Sequence, residues 1–78
     1  MNVTHVRQLF TQLYEENWGK LYVHVFRMLD DQDEARDIVQ EIFTNLWDRM
    51  ERLEIVHSYH AYLYRSARNL VINRIANQ

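Results

Sequence analysis

Apolar residues recur along this chain at helical spacing, in three blocks separated by two polar breaks. In the first block, from about Val6 to Leu29, the apolar residues Leu9, Phe10, Leu13, Leu21, Tyr22, Val25, Phe26 and Leu29 recur at helical spacing. Asn17-Trp18-Gly19 is the weak point of this run, so the pattern predicts either one kinked helix or two. Asp30-Asp31-Gln32-Asp33 then breaks it, and Asp31 followed three residues later by Glu34 predicts a capping box at the start of the next helix. That second helix is predicted from about Gln32 to Arg52. Stepping about 100° per residue gathers Ile38, Val39, Ile42, Phe43, Leu46 and Met50 into one arc with Trp47 at its margin. Asp37, Gln40, Glu41, Thr44 and Asp48 fall together on the opposite side. Leu53–His57 carries no period. Ser58 is a fit N-cap for a last helix from Tyr59 to near the chain end, with Tyr59, Leu63, Ala67, Leu70 and Val71 inward and Tyr62, Arg65, Arg68, Asn69 and Asn73 outward. The expected fold class is all-α, a small helical bundle of three to four helices.

Composition supports that reading. One glycine and no proline in 78 residues leave little for the turn-rich architectures of β proteins. At this length the chain is expected to be a single domain, residues 1–78, with a thin core and a stability of a few kcal/mol. Hydrophobic residues at 47% and charged residues at 26% are an ordinary globular balance. The absence of cysteine removes disulfides and thiolate metal sites and suits a reducing compartment. No apolar run approaches the roughly 18 residues of a membrane span, and Met1-Asn2-Val3-Thr4-His5 is not the start of a signal peptide. A cytoplasmic protein is expected.

The net charge of −2 hides a segregation: residues 1–29 carry +1, residues 30–54 carry −6, and residues 55–78 carry +3 with no acid. Electrostatic fields act locally, so one segment suits a basic partner and another an anionic one.

Enzyme chemistry has no foothold in this pattern. Ser58 and Ser66 are the only serines, and neither has a legible His–acid partner. A single glycine rules out Gly-rich phosphate loops. The carboxylates of the second helix lie on a solvated face, which does not tune them for acid–base work. His57 and His60 are three apart, but only the distant His5 and His24 remain to complete a metal site, so they read as a loop histidine and a first-turn histidine. No catalytic residue, metal or cofactor is expected.

Two faces carry chemistry. A charged outer face is commonly just solvated. Here the stripe Asp37, Gln40, Glu41, Thr44 and Asp48 contains no lysine and no opposite-charge pair within itself, unlike a face built only for solubility. It suits a partner that presents arginine, which can grip a carboxylate with two bonds. On the last helix Tyr59 and Tyr64 read as core, whereas Tyr62 projects with Arg65, Arg68, Asn69 and Asn73. An aromatic ring stacks on an unpaired base, arginine neutralises phosphate, and asparagine bonds base edges. Three arginines are too few to hold duplex DNA alone, because affinity grows with the number of phosphates neutralised. A short single-strand contact, helped by another protein, fits better.

Both faces meet in one family. The run from Asp33 to Trp47, DEARDIVQEIFTNLW, resembles the D-x-A-x-D-(I/V/L)-V-Q-E-x-F-x-x-(L/A/V)-(W/Y) signature of region 2.2 in the bacterial sigma-70 family, extracytoplasmic-function subfamily. Leu13-Tyr14-Glu15 and Leu21-Tyr22 resemble region 2.1. Ala61-Tyr62-Leu63-Tyr64-Arg65-Ser66-Ala67-Arg68-Asn69 is similar to regions 2.3 and 2.4. The resemblance runs from about Leu9 to Ile75. It implies a non-catalytic transcription-initiation domain that docks on core RNA polymerase and melts the promoter −10 element by binding its non-template strand. Asp37, Gln40 and Glu41, flanked by Thr44 and Asp48, would dock on the arginine-bearing clamp helices of the β′ subunit. The loop Leu53–Ser58, with Ile55 and His57, would accept a flipped base. Tyr62, Arg65, Arg68, Asn69 and Asn73 would line the path of the strand. An anti-sigma factor is a further implied partner.

Some positions depart from the family. Gly19 stands where proline is common, and Tyr62 stands where tryptophan is frequent, keeping a stacking surface. The −35-reading helix-turn-helix domain, region 4, is absent from this sequence. The helical pattern is still running at Asn77-Gln78, so the chain reads as a fragment of a longer factor or a truncated paralogue, able to bind polymerase but not to direct transcription by itself. The alternative from another class is a helical interaction bundle, an adaptor or self-associating domain, without DNA contact. Retention of core polymerase from a bacterial lysate separates the two.

Overall fold

The computed structural model describes residues 3–54 and 56–77, with side chains from His5 onward. Three helices form, α1 (Val3–Leu29), α2 (Gln32–Glu51) and α3 (Tyr59–Ala76), and no strand occurs among the described residues. The architecture is the all-α bundle that the periodicity predicts. It has the lower of the two expected helix counts, because α1 is one uninterrupted helix.

The weak point at Asn17-Trp18-Gly19 does not break α1 for two reasons. The Asn17 side chain donates to the Leu13 carbonyl at 2.9 Å, a bond made inside the helix rather than in competition with it. Around it the aromatic side chains hold the helix by packing: Trp18 stacks on Tyr22 at 5.5 Å, and Tyr14 meets Phe43 of α2 at 4.9 Å between ring centroids. A Cβ added at Gly19 would meet nothing within 4 Å. Gly19→Ala is therefore expected to stabilise the domain by about 0.5–1 kcal/mol, since alanine loses less backbone entropy in a helix. At this size that raises the melting temperature by roughly 2–8 °C. A thermal melt with an unchanged or lower midpoint contradicts it.

Both inter-helix breaks use the left-handed backbone region without glycine. Asp30, at φ 55°, donates its N–H to the Phe26 carbonyl at 2.7 Å and ends α1; aspartate is among the residues that tolerate this conformation. Asp31 then caps α2, its Oδ1 accepting from the Glu34 N–H at 2.9 Å. Only this half of the expected capping box forms. The Glu34 carboxylate turns away and accepts from Arg74 Nη1 near the end of α3, tying the start of α2 to the third helix.

The other end of α2 is closed by two backbone bonds, Leu53 N–H to the Met50 carbonyl at 3.1 Å and Glu54 N–H to the Arg49 carbonyl at 3.0 Å. This is the Schellman pattern, with Leu53 at φ 57° where glycine is usual. A leucine held there costs about 1–2 kcal/mol, and its side chain is 64% exposed. Ser58 caps α3 as expected, Oγ accepting from the Ala61 N–H at 3.1 Å.

Among the described residues, every buried one is hydrophobic. Val6, Leu21 and Val25 come from α1, and Leu63, Ala67 and Val71 from α3. The centre is α2, which buries Ala35, Ile38, Val39, Ile42, Phe43, Leu46 and Met50, the predicted arc with one alanine added. Trp18 and Trp47 are half-buried against it. Tyr59, Tyr64 and Leu70 are partly buried as well, and the Tyr64 ring lies between His24 at 5.0 Å and His60 at 4.7 Å. This arrangement leaves the polar side of α2 and the outer side of α3 to solvent.

Candidate functional site

All five residues of the acidic stripe are exposed on α2. At a rise of 1.5 Å per residue, Asp37 to Asp48 spans about 16 Å. The five are not equivalent. The Thr44 hydroxyl donates to the Gln40 carbonyl at 2.9 Å, so its proton is already used. Asp48 pairs with Arg52 one turn on, at 3.3 Å, which partly neutralises it. Asp37 and Glu41 have no ion-pair partner among the described residues. The stripe's free negative charge is thus concentrated at its N-terminal half.

Beside the stripe runs an aromatic groove that the periodicity did not assign to function. Phe10 and Tyr14 of α1 and Phe43 and Trp47 of α2 line a cavity of about 400 Å³, with Arg7, Gln40 and Thr44 at its edges. The Phe10 ring meets Trp47 edge-on at 5.1 Å. The signal available in sequence was the pair of aromatic steps of four, Phe10 to Tyr14 and Phe43 to Trp47, on two helices.

On the α3 side, the residues singled out for DNA fall into three groups. Tyr62, Arg65 and His57 line one cavity of about 300 Å³ together with Arg49, Val56, Ser58 and Ala61. Tyr62 and Asn69 also line a second cavity of about 470 Å³, whose other walls include Asn45, Asp48, Arg49, Arg52, Glu54 and Ser66. Arg68 and Asn73 are exposed on α3 but line neither. Ile55 lies outside the described residues.

Tyr62 itself is half-buried, not fully projecting, and the Arg49 guanidinium sits over its ring at 5.2 Å from the centroid. The residues that sequence reasoning missed here, Arg49, Asn45 and Ser66, come from a different helix or from the flank of α3. The packing of α2 on α3 brings Asn45 and Arg49 to Tyr62, whereas Ser66 stands one turn on along α3 itself. Among the described residues no group of three or more His, Cys, Asp or Glu converges as metal ligands would, and no helix is long and apolar enough to cross a membrane.

An acid stripe thus lies on the central helix and a tyrosine–arginine–asparagine face on the last one. The sigma-70 region 2 family model matches residues 13–78. The chain belongs to that family. It is also similar to the ECF RNA polymerase sigma factor SigW of Bacillus subtilis (strain 168), being 39% identical over 66 residues that make up 85% of this chain and 35% of that protein. The chain thus spans about a third of the length of this curated relative. No solved structure matches it significantly. The family match covers α2 and α3 entirely and α1 from Leu13.

Proposed function

We propose that this chain is the part of an RNA polymerase sigma factor that docks on the β′ clamp helices and holds the melted −10 element by its non-template strand. The observation that carries the reading is the contact between the two faces. Asp48, the last residue of the acid stripe, lines the same cavity as Tyr62 and Asn69. A polymerase helix lying along the stripe from Asp37 and Glu41 to Asp48, about 16 Å of α2, would end beside a strand seated on Tyr62, and docking would place the strand's path. Opening duplex DNA costs stacking and pairing energy, and capture of an extruded base offsets a few kcal/mol of it. Tyr62 supplies a stacking surface, the cavity with His57 and Arg65 is the place for a base, and Arg65 and Arg68 are the cations for its phosphates. Residues 55–57 belong to this base site by family resemblance. The work is cytoplasmic and non-catalytic. An anti-sigma factor would compete for α2 and the aromatic groove of Phe10, Tyr14 and Trp47 beside it.

The test is a fluorescence-anisotropy titration with single-stranded oligonucleotides of the non-template −10 type, their matched duplexes and a randomised-base series, at several salt concentrations. Single strand is expected to bind more tightly than duplex, whose bases stay stacked away from Tyr62. Arg65→Ala should weaken binding to all sequences and flatten the salt slope by about 0.7, as for one lost phosphate contact. Arg68→Ala should do the same or less, because Arg68 stands outside both cavities. Shortening the loop at residues 55–57 should erase preference among sequences and spare the salt slope, since it removes a base site and no phosphate contact. Equal affinity for duplex and single strand, or a loop deletion that leaves base preference intact, favours an interaction bundle without DNA contact.

A further inference from the structure

The reading above gives no role to Arg49, an arginine inside the acidic segment. Its surroundings are unusual. The Schellman closure of α2 bonds the Glu54 N–H back to the Arg49 carbonyl at 3.0 Å, and the Glu54 side chain follows, its Oε1 lying 3.4 Å from Arg49 Nη1. The same guanidinium lies over the Tyr62 ring. Arg49 and Tyr62 together are the wall shared by the two cavities, since both residues line each of them. Neither charged side chain is buried: Arg49 is 48% and Glu54 42% exposed.

Three consequences follow. A guanidinium held over the Tyr62 ring by cation–π attraction stands beside the stacking surface assigned to a base. Arginine has five N–H donors, and the contact with Glu54 is made through Nη1, so the rest of the fork can meet an anion. An ion pair so exposed contributes little to stability, which leaves Glu54 easily exchanged for a better acceptor. A strand running from the His57–Arg65 cavity to the Asn69 cavity would carry a phosphate across this wall.

We propose that Arg49 is a phosphate-contacting residue of the single-strand site, with Glu54 the counter-charge that the strand displaces. The inference deepens the proposed function and rests on it. Glu54 then acts as a brake: it keeps Arg49 in place over Tyr62 in the free protein and competes with the phosphate for the fork.

Short single strands of random sequence, titrated against the full chain by anisotropy over a range of salt concentrations, test this. Arg49→Ala should weaken binding about tenfold, the scale of one charge-assisted hydrogen bond, and flatten the salt slope by about 0.7. Arg49→Lys should keep the slope while losing part of the affinity. Glu54→Gln should bind more tightly than the parent, most clearly at low salt. An Arg49→Ala protein that binds less well with an unchanged slope would make Arg49 only a structural clamp on Tyr62 and overturn the proposal. Weaker binding by Glu54→Gln would overturn it too, because Glu54 would then support the site rather than compete in it; this arm decides the matter even where Arg49→Ala does not fold. A folded parent that binds no single strand at all fails the proposed function itself, and this inference with it. That outcome is told apart by the parent titration alone.

Discussion

Ile42→Asp is expected to unfold the domain. Ile42 is fully buried at the middle of α2, among side chains from all three helices. The substitution removes a large apolar side chain, worth about 2–5 kcal/mol in a core, and puts a carboxylate where every buried neighbour is hydrophobic. An unpaired polar group buried in this way costs further kcal/mol whether it stays charged or takes up a proton. A core of this size supplies only about 3–5 kcal/mol in total, so the loss exceeds what is available. Far-ultraviolet circular dichroism should show the helix signal collapse, and the emission of Trp18 and Trp47 should move to the red as both lose their half-buried settings. Ile42→Val, which removes one methylene, should cost about 0.5–1.5 kcal/mol and remain folded. A cooperative melt of Ile42→Asp at the parent's midpoint would mean that α2 is not the centre of the core.

Why the core was legible in sequence, and much of the site was not, is a matter of range. The arc Ile38, Val39, Ile42, Phe43, Leu46 and Met50 is written in local periodicity, and a helix that buries one side can satisfy it in only one orientation. The caps at Asp31 and Ser58 are also local, acting over three residues, and both form. The exposed stripe of Asp37 to Asp48 follows from the same wheel. What the wheel does not hold is contact between helices. Glu34 was expected to turn back on its own N-cap and instead meets Arg74, forty residues away. Tyr62 was expected to project freely and instead carries Arg49 of α2 on its ring. The aromatic packing of α1 ahead of its weak point likewise includes Phe43, which α2 presents to Tyr14. Each of these turns on a side chain from another helix, and helical packing at the α2–α3 junction creates two cavities that no single segment encodes.

Reversing one charge in the N-terminal half of the stripe is expected to abolish polymerase docking while leaving the domain folded. Asp37 and Glu41 are exposed and have no ion-pair partner among the described residues, so Asp37→Lys and Glu41→Lys take nothing from the core and little from stability. At an interface with arginine, the loss of one partner of a charge pair costs about 2–5 kcal/mol, which is roughly 30-fold to several-thousand-fold in affinity. The structure also ranks the rest of the stripe. Asp48 must first give up Arg52, so Asp48→Lys should weaken docking less than the other two reversals. Thr44 already donates its hydroxyl to Gln40, so Thr44→Val should change docking least. Binding of each variant to the isolated β′ clamp helices, measured at low and moderate salt beside a thermal melt, checks the order. A compensating reversal, arginine to glutamate on the clamp helices, should restore part of the binding lost by Glu41→Lys, because opposite charges again face each other. If Asp37→Lys and Glu41→Lys both bind like the parent, the stripe is only a solvated face. If Asp48→Lys proves the worst of the three, the docking centre lies at the Tyr62 end of α2, and the free charge of Asp37 and Glu41 does not decide where polymerase binds.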